Sequence, residues 1–338
     1  MKFAHTADLH LSRYGQDKVE VTTNLPDRLF SIRQALYEIA DYCKENGIFN
    51  LFIGGDTIHG KSIIYAIAQN LIIDFFADFP QITFWVIDGN HDITSKSSSA
   101  ISALKFLSTI PNVKWIPFNT IHQEENILFV PYSHNLVDII KENSCDILIS
   151  HFGLTEGQLN SGLSIISDIG LRDLANYKLV ILGHYHKPQE IIRDKFHLLY
   201  TGSPIQLDWG EKGEEKRFLV VDNETLKVDS IPLTRYRKHI EIEVTTANAT
   251  EALKEAVKAK AAGHHVKLLK NDNVDLHSIE NEFHIIDKTE VDITNRGITS
   301  NMTQKERFLK YLEIKEIPEE QQDFYLKTAL DIVENSEV

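Results

Sequence analysis

Only two cysteines, Cys43 and Cys145, occur in 338 residues. They are too few and too far apart for a disulfide framework or a thiolate zinc site, so two thiols in a reducing compartment are expected. No apolar run reaches membrane-spanning length; the most apolar stretch, residues 63–87, is broken by Gln69, Asn70, Asp74, Asp78 and Pro80. The opening MKFAHTADLH brings in polar residues too early for a secretory signal peptide. These absences predict a cytoplasmic protein with no membrane partner. Internal repeats and low-complexity tracts are missing too. Positive charge is also scarce, with 35 Lys and Arg against 49 Asp and Glu and a formal net charge of −14. Phosphate binding usually relies on clustered Lys and Arg, so composition alone argues against a nucleic-acid partner. Two bound divalent cations would not reverse that sign.

What is present is ordinary globular material, 42% hydrophobic and 25% charged. The length suffices for one large core and a small appendage. Short β-branched or aromatic runs bounded by Gly, Pro, Asp or Asn predict strands at 2–6, 50–54, 82–87, 113–116, 127–130, 146–149, 179–182, 197–200, 217–221 and 227–232. Leu29, Ile32, Leu36, Ile39 and Cys43 repeat at helical spacing between Pro26 and Gly47, predicting a helix over 27–46. Strands and helices alternate early and strands dominate later. The expected fold class is α/β, a sandwich of two mixed β-sheets flanked by helices.

After Arg237 a strand over 239–244, a helix over 250–262 and a strand over 266–269 form a small α/β unit. A polar stretch follows, and then two helices. Thr303 and Glu306 form a capping box ahead of Phe308, Leu309 and Leu312; the second helix starts near Pro318 and carries Leu326, Leu330 and Val333 on one face. The expected division is a 1–236 catalytic domain, a 237–291 capping domain, a 292–302 linker and a 303–338 helical pair.

The chemistry is written at strand ends. The apolar runs are followed in turn by Asp8-Leu-His10, Gly55-Asp56-Thr-Ile-His59, Gly89-Asn90-His91-Asp92, His151 and Gly183-His184-Tyr-His186. Carboxyl ends of strands are where ligands collect in open α/β sheets, and the glycines allow sharp turns. A carboxylate such as Asp56 can bridge two cations about 3.5–4 Å apart, and a water shared between them is deprotonated near neutral pH. The mixed imidazole, amide and carboxylate set favours manganese, iron or zinc over magnesium or calcium. A spare histidine beside the cage would protonate the departing oxygen. Each fragment alone is weak, since a lone Asp-x-His has many chance matches; five in order, each after an apolar run, are a different matter.

Together these motifs resemble those of the calcineurin-like metallophosphoesterases. The resemblance implies one metal on Asp8, His10, Asp56 and His186 and a second on Asp56, Asn90, His151 and His184. It implies His91 as general acid, oriented by Asp92. Within that superfamily, protein phosphatases would show Gly-Asp-x-x-Asp-Arg-Gly; here His59 stands in the second motif, one helical turn beyond Asp56, where it resembles an additional catalytic histidine of the SbcD-type double-strand-break nucleases. The run Tyr200-Thr-Gly-Ser-Pro-Ile-Gln-Leu-Asp-Trp-Gly-Glu211 resembles the end of that nuclease core. The order of core, small cap, linker and helical pair fits as well, and at this length the chain is most similar to the compact phage recombination nuclease subunits.

The resemblance therefore implies a manganese-dependent DNA nuclease subunit with 3′-to-5′ exonuclease and single-strand endonuclease activity. It would be a homodimer through residues 63–76 and 100–107, bound by its terminal helices to an SbcC-like SMC-family ATPase, in a host cytoplasm if phage-encoded. Arg13, Lys18, Lys61, Lys96 and Lys187 are candidate phosphate contacts, with solvated surface cations as the plain alternative. Two rival readings are a small-molecule phosphodiesterase acting on a nucleotide or lipid precursor and a non-catalytic scaffold of the same fold. The complete ligand set weighs against the scaffold.

Overall fold

The computed structural model describes residues 1–14, 18–61, 63–158, 167–193, 196–289, 302–315 and 317–336. One compact unit comprises Met1–Ile240 with Ala261–His265. Its first sheet holds β1 (Lys2–Thr6), β2 (Asn50–Gly54), β3 (Thr83–Ile87), β4 (Val113–Ile116), β11 (Arg217–Asp222) and β12 (Lys227–Pro232), in the order β12-β11-β1-β2-β3-β4. Its second holds β5 (His122–Glu124), β6 (Ile127–Val130), β7 (Ile147–His151), β8 (Leu179–Gly183), β9 (Gln189–Arg193) and β10 (Phe196–Tyr200), in the order β5-β6-β7-β8-β10-β9. β1 to β4 run parallel, as do β6, β7, β8 and β10, while β5, β9, β11 and β12 pair antiparallel at the flanks.

Side chains alternate between the faces of a strand, so a strand buried on both sides is apolar throughout. β3 illustrates this. Phe84 and Val86 point to a cluster with α1 (Asp27–Glu45) and α2 (Ala66–Asp78), while Trp85 and Ile87 face the other sheet. In β8, Leu179 and Ile181 turn inward toward the facing sheet, and Val180 and Leu182 turn outward to a cluster containing residues of α3 (Leu136–Glu142). Between the sheets Phe3 stacks on Phe52 at 4.2 Å, and Trp85 lies flat against Phe129 at 5.1 Å. The result is the expected α/β sandwich with helices outside two mixed sheets. α1 buries Leu29, Ile32, Leu36, Ile39 and Cys43, the five residues whose spacing predicted it.

Three strands escape the sequence pattern: β5, β9 and β15 (His284–Asp287). All are short edge strands with partly exposed residues, so none carries an apolar run. The segment 100–107, expected at a dimer contact, runs into a 3-10 helix at Ala103–Thr109.

The second compact unit comprises Glu241–Lys260 and Val266–Val338. A three-stranded sheet, β13 (His239–Val244), β14 (His265–Lys270) and β15, has β14 and β15 parallel; α4 (Ala249–Ala261) buries Ala252 and Ala256. Linker residues 292–301 lie outside the described residues. In α5 (Gln304–Ile314) the capping box forms as expected: Thr303 Oγ accepts from Glu306 N, and the Glu306 carboxylate accepts from Thr303 N at 2.7 Å. Along α5 and α6 (Glu319–Ser336), Leu312 and Leu326 are buried, Phe308 and Leu309 half-buried, and Tyr311, Phe324 and Tyr325 exposed. The side chains of Leu330 and Val333 lie outside the described set. Among the described residues no helix is long and apolar enough to cross a membrane.

Candidate metal centre

Because the central strands run parallel, their C-terminal ends emerge along one edge of the sandwich. Asp8 and His10 follow β1, Asp56 follows β2, and Asn90 and His91 follow β3. From the second sheet come His151, the last residue of β7, and His184 and His186 just beyond β8. The first two loops keep pairing beyond their strands: Asp8 N donates to Gly55 O at 3.0 Å, His10 N to Asp56 O at 2.9 Å and Leu11 N to Thr57 O at 3.0 Å. Four of these residues adopt the left-handed region, Asp8 at φ 56°, His10 at 48°, Asp56 at 51° and His184 at 96°. Such conformations cost side-chain-bearing residues about 1–3 kcal/mol each and persist where surrounding structure enforces them, often at functional sites. Gly55 turns at φ +91°, and a Cβ there would meet His151 Nδ1 at 2.4 Å.

The seven expected ligands converge. His10 Nε2 lies 3.0 Å from His186 Nε2. Asp56 Oδ2 lies 3.4 Å from His151 Nε2 and 3.6 Å from His10 Nε2. Asn90 Oδ1 is 3.2 Å from His151 Nε2 and 2.9 Å from His184 Nδ1. Asp8 is held by His184 N, which donates to its two oxygens at 2.9 and 3.1 Å. Three groups among the described residues are close enough to share an ion: Asp8, His10, His186; Asp8, Asp56, His151; and, at the lip, His10, His59, His91.

The chemistry of this set fits divalent cations. His151 Nδ1 donates to Gly54 O at 2.8 Å, so in the neutral ring Nε2 presents a lone pair to the oxygens of Asp56 and Asn90. Acceptors then face acceptors in a buried place, an arrangement that a cation satisfies. The electrostatics agree. Burial holds His184 down to about 3 and His10 well below its usual range, leaving both rings as neutral donors. Burial alone would raise Asp56, yet the facing His151 and His10 keep it well below the carboxylate range. Burial also opposes charge on His151, but Asp56 outweighs it and pushes the ring up to about 9. A proton at His151 occupies the position that a metal would take.

Two expectations need correction. Asp92 does not orient His91: it is fully buried, and its carboxylate accepts from Gly89 N at 2.8 Å, Ile58 N at 2.9 Å and Thr57 N at 3.2 Å. These backbone donors claim it and tie the second ligand loop to the third. His91 Nδ1 donates instead to His59 O at 3.0 Å, and His91 N to Asp56 Oδ1 at 2.8 Å. Nor does His59 lie one helical turn beyond Asp56. The loop is extended, with Ile58 bridged to Leu11 and His59 N donating to Leu11 O at 3.2 Å. His59 still reaches the cage: its ring stacks on His91 at 5.0 Å and 18°, and its Nδ1 is 3.2 Å from His10 Nδ1.

Of the proposed phosphate contacts, Lys61 and Lys96 line a cleft of about 400 Å³ that also takes in Asn90, His184, Tyr132 and Phe152. Lys18 lines a different cleft, with Arg28, Trp209 and Arg237. Arg13 is exposed and Lys187 half-buried. Sequence reasoning missed Tyr14 and Arg28. The Tyr14 hydroxyl donates to His10 O at 3.2 Å, its ring lies 5.4 Å from His59, and the Arg28 guanidinium stacks 3.7 Å above it. No motif links residues 14 and 28; only their meeting beside His59 brings them into view.

Residues 1–188, more than half of the chain, match the family model for calcineurin-like phosphoesterases. Exonuclease subunit 1 of Enterobacteria phage T4 is 27% identical over 248 residues, covering 69% of this chain and 68% of the relative. The SbcD component of the SbcCD nuclease of Staphylococcus epidermidis is 22% identical over 309 residues, covering 79% of each. The DNA double-strand break repair protein Mre11 of Archaeoglobus fulgidus is 24% identical over 379 aligned residues, covering 99% of this chain and 80% of that one.

Proposed function

The chain belongs to the calcineurin-like phosphoesterase family, and from that premise we propose that it is the nuclease subunit of a DNA repair or recombination complex. It is a metal-dependent phosphoesterase; the proposal concerns its substrate and partners. The carrying observation is the stacked pair His59 and His91 at the accessible lip of the seven-residue donor set. One imidazole can serve the leaving oxygen and the other a phosphoryl oxygen of a phosphodiester. The names of the T4, SbcCD and Mre11 relatives, nuclease subunits and a break-repair protein, support the same reading.

On this reading Asp8, His10 and His186 would hold one divalent ion, Asn90, His151 and His184 would hold the other, and Asp56 would serve both. Divalent ions at such a site would supply neutralisation of phosphoryl charge and activation of water, with manganese suited to the mixed donors. The chain's own groups do the rest. Asp56 receives His91 N and so sets that loop's distance from the donors. His91, donating from Nδ1 to His59 O, keeps Nε2 for the proton passed to the departing oxygen. Lys61 and Lys96 at the neighbouring cleft meet flanking phosphates. Digestion runs 3′ to 5′ on ends, with endonucleolytic cuts on single strands. The α5–α6 pair docks on an SbcC-like ATPase, which supplies DNA clamping that a chain of charge −14 lacks. Two copies associate through α2 and the segment following the third motif.

A second reading, hydrolysis of a small nucleotide diester, has one observation in its favour: the roughly 400 Å³ cleft beside Asn90 and His184 is of mononucleotide size. The deciding experiment is a manganese-dependent digest of labelled duplex and hairpin DNA, with and without the ATPase, beside a chromogenic small diester. DNA cleavage abolished by Asp56→Ala and strongly reduced by His91→Ala supports the nuclease. Turnover of the small diester alone overturns it.

A further inference from the structure

A buried charged network stands directly behind His186, outside the donor set. At its centre Lys216 has no exposed surface. An ammonium carries three protons, and four oxygens surround this one: Glu211 Oε2 at 2.7 Å, Glu214 Oε2 at 2.9 Å, the His186 carbonyl at 3.0 Å and Ser203 Oγ at 3.1 Å. Glu211 is 1% exposed. Its Oε2 also accepts from Leu207 N at 3.0 Å, and its Oε1 meets His186 Nδ1 at 3.0 Å. Burying such charges is costly, and apolar residues of similar volume often serve stability equally well or better. The arrangement is therefore poorly explained as fold glue. Two carboxylates against one ammonium leave a negative charge beside the ring of His186, whose Nε2 faces His10 Nε2 at 3.0 Å.

We infer that Glu211 and Lys216 are positioning residues for His186 as a metal ligand. Glu211 accepts the Nδ1 proton, which fixes the ring in the tautomer whose Nε2 lone pair points into the donor cluster. Lys216 secures the same residue twice, through its backbone carbonyl and through the carboxylate that orients its ring. The segment 200–211, noted in the sequence as a likeness without a role, thereby gains one: it delivers Ser203 and Glu211 to the rear of a ligand. The inference rests on the metal-centre reading and is independent of the substrate.

The test uses the full chain and two readouts without turnover: Mn²⁺ titration calorimetry, and ¹⁵N NMR of histidine tautomers in metal-free protein. In Glu211→Met/Lys216→Met both buried charges disappear together. One of the two Mn²⁺ affinities should fall about 10–100-fold while the other stays within threefold, and the His186 ring should lose its Nδ1-protonated signature. Glu211→Gln retains an acceptor and should recover most of the affinity. Wild-type affinities at both sites in the folded double variant overturn the inference. If the double variant does not fold, Glu211→Gln decides: a lost Nδ1 signature with unchanged affinities also overturns it. A wild type that binds Mn²⁺ normally yet leaves DNA uncut refutes only the nuclease reading.

Discussion

Gly183→Ala should damage the metal centre without replacing a ligand. A Cβ at this position would stand 2.4 Å from Gly54 O, 2.7 Å from His151 Nδ1 and 3.0 Å from Ala7 Cβ. Ordinary contacts begin near 3.4 Å, and the first neighbour is backbone in a central strand, so it cannot swing aside. Either β8 moves outward by several tenths of an ångström, or His151 gives up its 2.8 Å bond to Gly54 O. The first course is overpacking of a tight core, about 1–3 kcal/mol. The second loses the contact that fixes the His151 tautomer, and such losses weaken metal binding about 10–100-fold. We expect about 2–4 kcal/mol of destabilisation in urea unfolding with chelator present, together with at least a tenfold loss at one Mn²⁺ site by calorimetry. Gly213→Ala is the control: its φ is +75° with no atom near the added carbon, so about 1–2 kcal/mol of backbone strain should appear with unchanged metal binding. If Gly183→Ala matches wild type in both measurements, the packing between β2, β7 and β8 does not hold the cage.

Burial, reinforced by the nearby His151, pushes His5 down to about 3, whereas the unfolded chain protonates near 6.5. Its stabilising contribution is complete above 6.5 and declines as pH falls through that window, by about 1.4 kcal/mol per unit; between pH 7 and 5, urea midpoints of His5→Gln should shift less than those of wild type. Asp92→Ala strands three buried backbone donors and should cost about 3–5 kcal/mol in chelator; a stable Asp92→Ala with only the catalytic defect of His91→Ala would restore the orienting role denied above. His59→Ala should leave both Mn²⁺ affinities within threefold while slowing DNA cleavage at least tenfold; unchanged cleavage would remove His59 from the reaction. Phe129→Ala, between the sheets, should cost about 3–5 kcal/mol by urea unfolding, and less than about 1 would mean that the core collapses around it.

The fold was legible where burial writes directly into residue type. In β3 the four residues Phe84 to Ile87 are apolar on both faces because a sheet stands on one side and helices on the other. β5 and β9 left no such mark, since edge strands need only backbone partners. The convergence of the candidate donors was legible for a related reason, as each stands at or just beyond the end of a buried strand. The connections between them were not. Sequence places Asp92 beside His91, but three backbone amides that carry no residue signature take its carboxylate. In the same way Glu211 stands 25 positions from His186 and touches it. Spacing along the chain reports which side chains arrive at the edge; it does not report which atoms they meet.

One consequence of the sandwich concerns distance. The donors come from two sheets: Asp8, His10, Asp56 and Asn90 ride on the first, and His151, His184 and His186 on the second. The gap between those halves is therefore gauged by whatever fills the space between the sheets, and there Phe3, Phe52, Trp85 and Phe129 act as spacers. Their rings never approach a phosphate, yet their thickness calibrates how far apart the two halves of the cage can stand. A thinner spacer would leave a void between the halves, and a thicker one would press His151 away from Asp56.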